Sequence, residues 1–118
     1  MATFQEGGHV LKELHEIFHK FKEDFPQVYA GHQDLGIEIH ENSGPLPEKT
    51  RCLLKIAISG ASRHLFALET HIAKAREAGV SDEEIKHALL LLMQTTGFPT
   101  LMEAYGVFKK MEGNADIR

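Results

Sequence analysis

Only one cysteine, Cys52, occurs in the 118 residues. An intrachain disulfide is therefore impossible, as is a redox cycle that needs two thiols in one chain. A lone thiol fits a reducing compartment, and a cytoplasmic protein is expected. Basic residues are scattered among acidic ones, and the net charge is -4. That balance argues against the clustered Lys and Arg face that sequence-independent nucleic-acid binding requires. Long apolar runs are missing too. The longest, Ala88 to Met93, is too short to span a bilayer, so no membrane partner is expected. The opening MATFQEGGHVLKELHE lacks the basic segment and apolar run of a secretory signal. There is no strand-length alternation, repeat or low-complexity tract, and no Gly-rich phosphate loop or Ser-centred elbow.

What is present is helical periodicity. Val10, Leu11, Leu14, Ile17, Phe18 and Phe21 recur at three- and four-residue steps, which predicts a helix over about residues 9–23. Pro26 interrupts it and suits the first turn of a second helix, with Val28, His32, Leu35 and Ile39 on one face. Gly31 and Gly36 weaken that helix. ENSGPLPEKT is a loop leading to a third helix from about Pro47 to Ser59, with Leu53, Leu54, Ile56, Ala57 and Ile58 expected to be buried. Gly60 permits a break. A fourth helix over about residues 62–78 should stop at Gly79. Ser81 and Glu84 then have the spacing of a capping box for a fifth helix, apolar on nearly every side from Ala88 to Met93 and so expected to be central. A Gly-Phe-Pro break precedes a last helix bearing Leu101, Ala104, Tyr105 and Phe108, and residues 113–118 read as a flexible tail. The result is one all-α domain over residues 1–118, of about six helices; its N-terminal helix, within residues 1–24, is the least firmly marked. An all-round apolar helix in so short a chain suggests burial between subunits.

The segment SRHLFALETHIAKAREAGVSDEEI carries the candidate chemistry. His64, Ala67, Leu68, His71, Ala75 and Ala78 share one small, apolar helix face that should point inward. Two readings of its histidines compete. One is a core or interface imidazole bonded to a carbonyl; the other is a general acid/base in a pocket. A metal pair is a poorer reading, because seven residues separate His64 from His71 rather than the four of a helical zinc pair. His87 on the next helix would have to supply a third ligand. No metal or cofactor is expected. His15 and His19 are four apart but belong with charged neighbours on a face expected to meet solvent. His32 either lines a pocket or fills space, and His9 and His40 are expected to be exposed. Cys52 is either an inert buried thiol or one made mildly acidic by Arg51.

Taken in order, LPEKTR, then ETHIAKAREAGVSDEEI, then the Gly97-Phe98-Pro99 break resemble the carboxymuconolactone decarboxylase family, which also contains the alkylhydroperoxidase D-like proteins. His71, Ala75 and Gly79 with the following capped SDEEI are the most specific part. The likeness runs from Gly44 to Tyr105. The peroxidase branch has a glutamate, a Cys-x-x-Cys pair and a histidine. Aligning on His71 puts its thiol positions at His64 and Ala67 and its glutamate at Cys52. The dithiol is therefore absent, and a peroxidase-like antioxidant activity is disfavoured. The decarboxylase branch acts on a carboxylated lactone, and the resemblance implies His71 as the proton-transfer group. His64 is then its partner, and Cys52, Glu69, His87 and His32 are candidate pocket-lining residues. This chain has Leu65, Phe66 and Ala67 before the histidine, where that branch tends to be acidic, so the substrate is left open. The resemblance also implies a helical bundle assembled as a homo-oligomer, a trimer or hexamer. A scaffold or small-molecule-binding oligomer that has lost the chemistry is the remaining alternative.

Overall fold

A computed structural model describes the backbone of residues 16–117 and the side chains of residues 16–112. Among the described residues every regular element is helical. Residues 16–24 form helix α1, and α2 (Pro26–Asn42), α3 (Glu48–Ala61), α4 (Leu65–Glu77) and α5 (Asp82–Leu90) follow. A 3₁₀ segment, Leu91–Gln94, leads to α6 (Phe98–Ile117). The backbone of residues 113–117, where the sequence suggests a tail, continues α6. The part of the first helix before residue 16 lies outside the described residues.

The core lies among α3, α4, α5 and α6. Ile56, Leu68, Ile72, Ala75, Ile85, Leu89 and Phe108 are fully buried there. Each comes from an apolar position at helical spacing, so burying these faces is what holds the four helices together. Arg76 joins three of them: its Nε donates to Asp82 Oδ1 at 3.0 Å, and its guanidinium lies 5.5 Å from the Phe108 ring centroid. It also donates from Nη1 to the Met111 carbonyl at 3.4 Å.

Several boundaries follow the expected chemistry. Pro26 opens α2, with Phe25 outside both neighbouring helices. Gly79 has φ +90°, and the amides of Gly79 and Val80 bond back to Arg76 and Ala75. That is a Schellman stop, which requires a left-handed residue. Ser81 and Glu84 form both halves of the capping box at the start of α5.

Other expectations need correction. Gly60 does not break the third helix; it is buried within α3, where a Cβ would meet Leu92 Cδ1 at 3.1 Å and Ala104 Cβ at 3.4 Å. Its role is close helix packing. The chain turns instead at Arg63, whose φ is 60°. The amides of Arg63 and His64 bond to Gly60 and Ser59, so this too is a Schellman stop, made without glycine. Arg63 pairs with Glu103 on α6, which secures the turn to the last helix. On α3 only Ile56 among the five expected core residues is buried; Leu54 and Ile58 face outward, Ile58 at 62% exposure. The fifth helix is not wholly central either. It buries Ile85, Ala88 and Leu89 but leaves Leu90, Leu91 and Met93 exposed, because a nine-residue helix ending in a 3₁₀ turn offers only one face to the core. α2 buries no residue at all.

Candidate functional site

His71 lies on α4, partly buried. Burial, and after it the electrostatic influence of Lys55, Lys74 and His40, lowers its pKa to about 4. The imidazole is therefore neutral near pH 7 and enters any reaction as a base. Three helices supply these groups: His40 from α2, Lys55 from α3, and Lys74 beside His71 on α4.

Lys55 and His40 are in direct contact. Lys55 Nζ lies 2.6 Å from His40 Nε2, and His40 Nδ1 lies 2.7 Å from the Gly36 carbonyl oxygen. A carbonyl only accepts, so Nδ1 carries the proton in this contact. Nε2 is then the lone-pair nitrogen, and it accepts from the Lys55 ammonium. Burial and Lys74 lower the Lys55 pKa; Cys52 opposes that and Arg51 adds to it. Cys52 is partly buried against the core and stands one helical turn before Lys55. Arg51 holds the connection from α2 in place, donating to the Leu46 carbonyl at 2.6 Å and lying 3.5 Å from Glu41.

The remaining sequence candidates are distributed differently. His64 is not within α4 but is its exposed N-cap residue, directly after the turn at Arg63. Glu69 is buried at 7% exposure. It is two residues from His71 and so points to another side of the helix. Burial raises its pKa to about 7, opposed by Lys110 on α6, and its Oε1 meets no donor among the described residues. His87 and His32 are exposed. His19 is exposed and lies 3.8 Å from Glu23. His9 and His15 lie outside the described residues. Among the described residues no three His, Cys, Asp or Glu side chains converge as a metal-ligand set.

Two residues of the cluster, His40 and Lys55, were missed in the sequence, and His40 is not exposed as expected. The local signals were weak. His40 stands one turn after Gly36 on a helix with little amphipathicity, and Lys55 reads as an ordinary charge on α3. Only the folding of α2 against α3, across fifteen residues, joins them.

The sequence profile of the carboxymuconolactone decarboxylase family matches residues 24–110. The chain belongs to this family. The match spans α2 through most of α6 and contains the whole His40, Lys55 and His71 cluster. Among solved structures, a carboxymuconolactone decarboxylase family protein from Legionella pneumophila, crystallised in its apo form, is similar with a TM-score of 0.81. It is 22% identical, and the alignment covers 93% of this chain and 97% of that one. This likeness establishes a shared fold. No curated protein matches this chain. As in the expectation from sequence, the family fold is an all-helical one.

Proposed function

We propose that this protein acts on a small carboxylated or lactone-like metabolite, with His71 as its proton-transfer group. The observation that carries this reading is the composition of the site. A neutral imidazole feels Lys55, Lys74 and His40, and among the described residues no carboxylate is one of the groups that set its charge. An anionic substrate supplies the missing negative charge. Its carboxylate would meet the two lysines, and the same charge would raise the affinity of His71 for a proton. Loss of CO₂ leaves an electron pair delocalised into the neighbouring carbonyl system, and a proton from the imidazole quenches it. His71 thus begins as a base and is armed as an acid by the substrate it binds.

The assembly belongs to this reading. α1, α2 and the Phe25 between them leave Phe21, Phe25, Val28, Leu35 and Ile39 exposed, and α5 with the 3₁₀ turn leaves Leu90 and Leu91 exposed. We read these surfaces as contacts between copies of the chain in a homo-oligomer, since exposed apolar area on this scale marks an interface. No helix among the described residues is long and apolar enough to cross a membrane. We place the protein in the cytoplasm, where its single thiol is stable.

The test is turnover of γ-carboxymuconolactone and related carboxylactones by the wild type and by His71→Ala. A positioned general acid/base contributes about 10²–10⁴-fold, and the variant should lose a factor in that range. Equal rates in the two proteins would remove His71 from the chemistry.

A further inference from the structure

We propose that Lys55 is a nucleophilic amine, with His40 as its base, and that it forms an imine with the carbonyl carbon of a small oxo acid. This inference rests on the reading above for the site and its anionic ligand, and adds a covalent step that the reading does not contain.

The geometry is that of an activated nucleophile. Such a site needs a nucleophile within hydrogen-bond reach of a base, and a third group that fixes the base in the right tautomer. Here the nucleophile is Lys55 Nζ, the base is His40 Nε2 at 2.6 Å, and the third group is the Gly36 carbonyl at 2.7 Å from Nδ1. The three come from two helices, and Lys55 and His40 both act electrostatically on His71. Apolar burial on α2 does not force this contact, because that helix buries no residue. A lysine serving only solubility would extend into water. This one is turned back onto an imidazole that offers it a lone pair and no negative charge. Its surroundings, chiefly burial and Lys74, also lower its pKa from the usual lysine value.

The step balances without an outside oxidant or reductant. Lys55 gives one ammonium proton to His40 Nε2. The freed amine pair forms a bond to the carbonyl carbon, and the carbonyl π pair moves to oxygen. A second proton passes from nitrogen to that oxygen, giving a carbinolamine. The hydroxyl takes back the proton held by His40 and leaves as water, while the nitrogen pair closes the iminium. If a carboxylate stands β to the imine carbon, the C–C bond to it breaks, its pair flows into the iminium, and CO₂ leaves an enamine. A solvent proton delivered through His71 converts the enamine to a new iminium, and water releases the product and Lys55.

The probe is acetoacetate with sodium cyanoborohydride, followed by peptide mapping of the full chain by mass spectrometry. The label is either the reduced acetoacetate adduct or, after CO₂ loss, an isopropyl group. Label should collect on Lys55 well ahead of the exposed Lys20 and Lys49. Lys55→Arg should abolish that label while thermal melting stays as in wild type. His40→Gln keeps an acceptor for the amine but takes no proton, and should slow Lys55 labelling about a hundredfold. Imidazole added to His40→Ala should restore part of the rate, which a merely structural role for His40 would not allow. Labelling of Lys55 no faster than Lys20 and Lys49, or unchanged by His40→Gln, overturns the proposal. The two readings separate cleanly. Imine formation at Lys55 in a protein that turns over no carboxylactone rejects only the proposed function. Carboxylactone turnover that depends on His71 but survives Lys55→Arg, without an adduct, rejects only the imine.

Discussion

Glu69 carries a carboxyl whose Oε1 meets no donor among the described residues, and burial raises its pKa from 4.5 to about 7. The folded chain therefore holds a proton there that the unfolded chain has released between those values. Its stabilising contribution is full below the lower value and is lost as pH rises through about 7. At one unit per 1.36 kcal/mol the swing is about 3 kcal/mol at most. Glu69→Gln stays neutral throughout, so its melting temperature should exceed that of wild type near pH 8, with the gap closing near pH 5. His71 runs the other way. Its pKa falls from 6.5 to about 4, so the stability it contributes is complete above the higher value and drains as pH falls toward the lower. A plot of melting temperature against pH should lose part of its acid slope in His71→Gln. The opposite signs come from one cause, since burial disfavours the charged form of both an acid and a base.

At the scale of the helices, the two stops around α4 are informative. Both are Schellman turns, but one uses Gly79 and the other uses Arg63, held by Glu103. The second is why α4 begins at Leu65, with His64 as its N-cap. Gly60 is needed for a different reason, the close approach of α3 to Leu92 and Ala104. Gly60→Ala should gain helix propensity but force a Cβ against two buried side chains. A net loss of about 1 kcal/mol is expected from denaturant unfolding, since overpacking costs more than the propensity returns. Ser81→Ala removes one half of the capping box and should cost about 1 kcal/mol in the same measurement.

For the whole molecule the two N-terminal helices stand apart from the core in composition. α2 carries Val28, Leu35, Ile37 and Ile39 in the open and has no buried residue. Such a helix is stable when something covers it, and we expect another copy of this chain to do so. Sedimentation equilibrium should give a multiple of the 13.2 kDa chain mass, and Leu35→Asp should shift it toward a single chain. A wild type that sediments as a single chain would reject this assembly. Because His40 also lies on α2, loss of assembly should weaken Lys55 labelling as well, linking the oligomer to the site.

Much of the fold was legible along the chain because it is written in local chemistry. The apolar steps of α4, the proline at the head of α2, the Gly79 stop and the Ser81 to Glu84 box each act within a few residues. Each therefore shows in the letters. The sequence alone also determined the absence of a dithiol and pointed to His71 and to the family. It did not reveal that Leu54, Ile58 and Leu91 stay outside the core, because apolarity says that a side chain will leave water without saying against what. It began the fourth helix before His64 because the turn there is held by an arginine, where glycine is the usual sign. Only the tertiary structure decided the rest. It brought His40 to Lys55, set the imidazole tautomer through Gly36, made His71 neutral and isolated Glu69 on another face. These properties depend on distance and burial among groups far apart in the chain, and no short-range pattern of residues encodes either.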